Sequence, residues 1–219
     1  MALTRIPDKN RERILEAARA IILDKGIDAL SVRILAKEAN LALRTIYNLF
    51  GSKEAVVIEL FWQGTKDLDK ATLNLRQAMA EKPWDTTFYL TWIKTVESMF
   101  INNQDLIKPA ILTGFSQSYP ISEKAAMIHE NRIREIEAAL NLAAQKNLIW
   151  NDLDLKVTAR LLYQNYFNVV VQWARGDFDD QELIVFGRYA VLTILHTLIN
   201  EDKRRENTLN LLRELKEEK

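Results

Sequence analysis

The chain contains no cysteine, which excludes disulfides, cysteine-liganded zinc and thiol chemistry and is compatible with a reducing compartment. Its 219 residues include only four prolines and six glycines, so obligatory breaks are few. Net charge is zero, with 30 basic and 30 acidic residues, and a global basic signature for nucleic acid is missing. The longest apolar stretch, Val185 to Ile199, is interrupted by Arg188 and His196 and is too short and too polar to span a bilayer. Near the start, Arg5, Asp8, Lys9, Arg11, Glu12 and Arg13 have no long apolar run beside them, which argues against a secretory signal. No P-loop and no Gly-x-Gly-x-x-Gly occurs, and His129-Glu130 lacks the second histidine of a zinc-protease helix. The expectation is a cytoplasmic protein with no membrane contact, no cofactor, no metal and no catalytic residues.

What is present is helical patterning. Hydrophobic residues make up 48% of the chain and charged ones 27%, enough for a sizeable core. Apolar side chains recur at spacings of three and four, and β-alternation is almost absent. The pattern predicts a helix from near Asp8 to Gly26, with Ile14, Ala18, Ile21 and Ile22 on one face and Gly26 as a left-handed terminator. Ser31 reads as an N-cap for a short helix with Val32, Leu35, Ala36 and Ala39 inward and Arg33 and Lys37 outward. A break at Asn40 to Ala42 precedes a second short helix ending near Phe50, with Ile46, Leu49 and Phe50 buried. Gly51 ends that helix, and Ser52 caps a long one running towards Pro83. Further helices are expected near 85–102, 104–118, 121–148, 153–175 and 180–199, followed by a charged tail with Leu209, Leu212 and Leu215 along one side. The tail reads as a solvated helix packing lightly on the body.

Charge is unevenly spread. Residues 1–56 carry a net of three positive charges and the remainder a net of three negative ones, a polarity that suits meeting phosphates with one end. Three short helices with two tight breaks form a unit of the helix-turn-helix kind. The outer face of its last helix presents Arg44, Thr45, Tyr47 and Asn48, side chains that donate to phosphates and read base edges.

At this point the sequence resembles the TetR family of regulators. The resemblance lies in Ala39-Asn40-Leu41-Ala42, then Thr45-Ile46-Tyr47-Asn48-Leu49-Phe50, then Ser52-Lys53-Glu54, against a family pattern of Ala-Gly-Val-Ser, Thr-x-Tyr-x-x-Phe and Ser-Lys-Glu. Ile14 to Ala18, Gly26 and Ser31-Val32 match upstream, so the resemblance covers about residues 10–60. Asn40 stands where the family has a turn glycine, and asparagine tolerates the left-handed conformation better than most residues. Ala42 stands where the family has serine, which removes a cap worth ~1 kcal/mol. The resemblance implies an all-α chain: a helix-turn-helix domain over 1–54, a larger helical effector-binding and dimerisation domain over 55–200, and a C-terminal helix over 201–219.

It also implies roles. Ser31, Lys53 and Tyr47 are expected on the DNA backbone, Arg44, Thr45 and Asn48 in the groove, Leu43 on a thymine methyl, and Arg33 at the margin. The expected pocket, for a small and mostly apolar effector, draws on Trp92, Val96, Met99, Phe100, Phe115, Tyr119, His129, Tyr163, Tyr166 and Phe167. The helices 153–175 and 180–199 are apolar nearly all round and are expected to pair two copies through Tyr166, Val170, Trp173, Gly187, Ala190, Val191, Ile194 and Leu198. The implied function is a ligand-responsive repressor that binds a pseudo-palindromic double-stranded operator as a homodimer. A helical enzyme or ligand carrier, or a protein-interaction module without DNA binding, is the alternative that the residues alone leave open.

Overall fold

The computed structural model describes residues 9–71, 86–114, 123–150 and 152–217. Among these, ten α-helices follow in order: α1 (Lys9–Lys25), α2 (Val32–Glu38), α3 (Leu43–Phe50), α4 (Lys53–Ala71), α5 (Thr86–Asn102), α6 (Gln104–Gly114), α7 (Glu123–Gln145), α8 (Leu155–Arg175), α9 (Asp180–Leu198) and α10 (Asp202–Glu217). A short 3-10 turn, Ile27–Ala29, links α1 to α2. The only β-type pairing among the described residues is an isolated antiparallel bridge between Ile149 and Ile199. The chain is all-α, as its patterning predicts, and no described helix is long and apolar enough to cross a membrane.

The chain divides into two compact units, a head from the described residues of 1–66 and 103–122 and a body from those of 67–102 and 123–219. The head core gathers Ile14, Leu15, Ala18, Ile21 and Ile22 of α1, Leu35 and Ala36 of α2, Ile46 of α3, and Val56, Val57 and Leu60 of α4. Leu106 and Ala110 of α6 pack onto it as well, although they lie some fifty residues further along the chain. Pro109 sits inside α6, and the helix continues past it.

Helix ends in both units share one device. Leu41 N–H reaches Ala36 C=O, Leu148 N–H reaches Ala143 C=O, and Asp177 N–H reaches Gln172 C=O. Each is the six-to-one bond of a Schellman motif, which needs a left-handed residue just before its donor. Asn40 (φ 50°), Asn147 (φ 59°) and Gly176 (φ 83°) supply it. Asn40 therefore does what the family's glycine would do. Gly26 also has a positive φ, but its ψ of 170° is extended, so the chain leaves α1 into the 3-10 turn rather than through a left-handed cap.

In the body, α8 packs on α7 and α9, and α9 is also met by α5 and α10. Its main core contains Ile93, Ile133, Leu140, Ala143, Ala159, Leu162, Val191, Leu195 and Leu198. The tail helix departs from expectation. Leu212 and Leu215 of α10 bury against Leu192 of α9 with Leu211 alongside, and Thr208 is fully buried. Leu209 points outward. The inward stripe is thus 208, 211, 212 and 215, and α10 covers a side of α9 that patterning alone leaves for another chain. Asn200 secures the same end of the body, its side-chain amide donating to Asn147 C=O (2.9 Å) and Ile149 C=O (3.4 Å).

Candidate nucleic-acid interface

The two turns of α3 separate cleanly into faces. At about 100° per residue, Leu43, Arg44, Tyr47 and Asn48 share one arc, and all four are exposed. Tyr47 is 52% exposed although it is a large aromatic. Ile46 is wholly buried on the opposite arc, and Leu49 and Phe50 pack on the head core beside it. Thr45 is half-buried at the margin. An outward arc of hydroxyl, amide and guanidinium groups on a helix short enough to enter a major groove is the chemistry of base and phosphate contact.

Around it stand the other expected residues. Ser31 caps α2, its Oγ accepting from Ile34 N–H at 3.2 Å. Its hydroxyl proton remains available to an anion. Arg33 and Lys37 are exposed on α2. Lys53 opens α4 directly after Ser52, whose Oγ accepts from Ala55 N–H at 3.2 Å. Ala42 precedes α3 with extended backbone and no side-chain cap. The cap that the family's serine would provide is absent from this fold.

Two arginines of α1 hold this unit together, and neither stood out in the sequence. Arg13 donates to Ala39 C=O at 2.6 Å and Asn40 C=O at 3.3 Å, satisfying carbonyls at the C-terminal end of α2. Arg11 donates to Leu49 C=O at 3.1 Å and to the Glu59 carboxylate at 2.8 Å. Its guanidinium carbon also lies 4.4 Å from the centre of the Phe50 ring. Sequence spacing gives no hint of these partners, which lie up to 48 residues away.

The body gathers part of the expected pocket set. Tyr163 hydrogen-bonds His129 Nδ1. Phe167 stacks on Tyr163 one turn along α8 and meets His129 edge-on, with ring centres 4.7 Å apart. Burial holds the His129 imidazole down to about 4, against a weaker upward pull from Glu130, and burial raises the Tyr163 phenol. A second group forms elsewhere in the body: Phe100 stacks on Trp173, whose indole N–H donates to Asp180 at 2.7 Å. Val96 is buried, and Met99 and Phe100 are half-buried on α5, which also carries Trp92. Tyr166 packs against Gly187, where a Cβ would come within 2.9 Å of the ring. Phe115 and Tyr119 lie outside the described residues.

Sequence reading passed over a buried ion pair in the body interior. Glu97, 2% exposed, receives three hydrogen bonds from Arg188 at 2.8 to 3.2 Å. Burial pushes the Glu97 carboxyl up, and Arg188 opposes that shift. Of the residues expected to pair two copies, Val170, Trp173, Gly187, Val191 and Leu198 are buried within a single chain. Tyr166, Ala190 and Ile194 are half-buried. Val157 and Leu161 of α8 and Tyr189 of α9 are the large apolar residues that these two helices expose.

A head that joins two short helices by a tight turn and faces the polar side of the second outward is a helix-turn-helix arrangement. Residues 14–60 match the family model of the bacterial regulatory proteins of the tetR family. No curated protein sequence matches the chain. Solved structures do. FadR of Thermus thermophilus, a TetR-family transcriptional repressor in complex with lauroyl-CoA, is similar with a TM-score of 0.70 at 20% identity, over 88% of this chain and 96% of that one. FadR of Bacillus subtilis, in complex with stearoyl-CoA, follows at 0.63 and 19%, over 85% and 98%. SmeT, the repressor of a Stenotrophomonas maltophilia multidrug efflux pump, gives 0.54 and 18%, over 88% and 91%. At these identities the likeness is one of fold.

Proposed function

We propose that this chain is a ligand-responsive repressor that binds a pseudo-palindromic operator as a homodimer and leaves it when a small, mostly apolar effector binds the body. The observation that carries the reading is the outward arc of α3, where Leu43, Arg44, Tyr47 and Asn48 are exposed on a helix whose other side is anchored. In this reading Tyr47, Ser31 and Lys53 hold phosphates, Arg44, Asn48 and Thr45 read base edges, Leu43 meets a thymine methyl, and Arg33 adds positive charge at the edge. One two-turn helix reads too few bases for genomic specificity, which favours a two-fold assembly on two half-sites. Val157, Leu161 and Tyr189, exposed along α8 and α9, are the apolar surface such an assembly would cover.

Effector control follows from population shift, with the ligand favouring one spacing of the paired heads. The lever is α4, which starts in the head and whose residues after 66 belong to the body. The similar FadR structures hold lauroyl-CoA and stearoyl-CoA, so free laurate, a small and mostly apolar acyl chain, is the first probe for release, with lauroyl-CoA beside it to test for a charged carrier. The test is binding to promoter DNA near the chain's own gene. Salt-sensitive, saturable binding is expected, and Tyr47→Ala should weaken it by at least tenfold (the order of a lost charge-assisted hydrogen bond) while circular dichroism stays unchanged. Equal affinity for this DNA and for random sequence would sink the reading.

A further inference from the structure

The reading helix is short, and its two ends are held unequally. At its start Ala42 offers no side-chain cap. At its end Gly51 donates its N–H to Tyr47 C=O at 2.9 Å, which closes the last turn but attaches it to nothing else. Leu49 and Phe50 of that turn pack on the head core, and Arg11 adds the polar tie from it to α4. One guanidinium reaches the last turn of α3 through Leu49 C=O, faces its last ring at Phe50, and pairs with Glu59 of α4. The Glu59 side chain is 12% exposed and that of Arg11 37%, so the carboxylate side of this contact is sheltered while the guanidinium stays partly in water. A planar guanidinium that engages three groups at once fixes their mutual orientation, which a flexible ammonium cannot do.

From this geometry we infer that Arg11 is a positioning residue for DNA reading, clamping the C-terminal turn of α3 to α4 and so setting the angle at which Leu43, Arg44, Tyr47 and Asn48 enter the groove. The inference rests on the DNA-binding reading above. It separates Arg11 from the neighbouring Arg13, which serves the turn before α3 through Ala39 C=O and Asn40 C=O. It also separates it from Arg33, Lys37 and Arg44, whose exposed charges belong to the outer surface. Arg11 contributes through Leu49, Phe50 and Glu59, and its loss tilts the reading helix without removing a phosphate contact.

Salt dependence tells the two kinds of arginine apart. Each phosphate contact contributes about one unit to the slope of log affinity against log salt. The experiment starts from a duplex that the wild-type chain itself enriches from a random pool. Fluorescence anisotropy then follows that duplex and a scrambled one over a range of salt for wild type, Arg11→Met, Arg11→Lys, Glu59→Met and the Arg11→Met/Glu59→Met double variant. Arg11→Met is expected to lose roughly 10- to 100-fold on the selected duplex, in line with the coupling of groups in one network. Its salt slope and its affinity for the scrambled duplex should stay at the wild-type values. Arg11→Lys, which keeps the charge beside Glu59, should fall between, and the double variant should lose less than the two single losses combined.

A slope reduced by about one would mean that Arg11 touches a phosphate itself and would overturn the inference. Unchanged affinity in both Arg11→Met and Arg11→Lys would overturn it as well. Equal loss on both duplexes with a lowered helical signal in both variants would reduce Arg11 to a fold-stability role, again overturning it. A wild-type chain that enriches no sequence overturns the DNA-binding reading, and this inference falls with it.

Discussion

The head and the body spend their polar groups in opposite ways. In the head, charged side chains sit at the rim: Arg13 on the end of α2, Arg11 between α3 and α4, and Arg33, Lys37 and Arg44 free to face outward. In the body, two polar pairs lie inside. Glu97 meets Arg188 under the surface, and His129 meets Tyr163 among rings. A group near water loses little when its partner goes, whereas a buried one is left facing a medium that cannot solvate it. The difference teaches that losing a polar partner should cost less in the head than in the body.

That contrast sets the order of the expected effects. Glu97→Ala leaves Arg188 buried without its carboxylate and should cost about 3–5 kcal/mol, read as a lower midpoint in urea melts. Replacing both partners by hydrocarbon, as in Glu97→Leu with Arg188→Met, should recover most of that loss. If the single and double variants are equally unstable, the burial of this pair is not what distinguishes the body.

Acid should act next, again on the body. His129 is held down to about 4 by burial, against about 6.5 when unfolded. A group with a depressed pKa contributes stability that is present above its unfolded value and is lost as pH falls through its folded value. Stability should therefore drop between about pH 6.5 and pH 4, by of the order of 2 kcal/mol after allowing for partial exposure of the ring. His129→Gln should flatten that part of the profile in urea melts taken at stepped pH. An identical slope in the variant would assign the acid response to other groups.

Head substitutions should be milder. Asn40→Ala forces an ordinary side chain into the left-handed region and should cost about 1–2 kcal/mol, whereas Asn40→Gly should be close to neutral. Thermal midpoints of the two variants check this, and equal midpoints would show that the Schellman turn before α3 does not depend on left-handed tolerance. The smallest effect is a gain. Ala42→Ser restores the missing cap and should stabilise the head by ~1 kcal/mol or less, seen as a raised midpoint of one or a few degrees. If head variants cost as much as Glu97→Ala, the contrast between rim and interior fails.

Much of the head was legible without coordinates because its signals are local. Helix periodicity, Ser31 and Ser52 as caps, Asn40 as a tolerated left-handed residue and Ala42 as a missing cap each depend on neighbours within four residues. The outward arc of α3 follows from the same spacing. The body's helices were legible too, but not their partners. Periodicity shows α9 apolar nearly all round without saying that α10 covers part of it through Leu212 and Leu215. It marks aromatics on α5, α7 and α8 without saying that His129 joins Tyr163 and Phe167 while Phe100 joins Trp173.

The sequence by itself determined that the described residues are helical, which faces are apolar and which short helix turns polar groups outward, since helix geometry turns residue spacing directly into direction. Only the tertiary structure decided what each face meets. Arg11 and Glu59, Arg188 and Glu97, and Leu106 and Ala110 with the head core are separated by tens of residues. Such pairings depend on how whole helices pack side against side, and no local periodicity encodes the partner of a face.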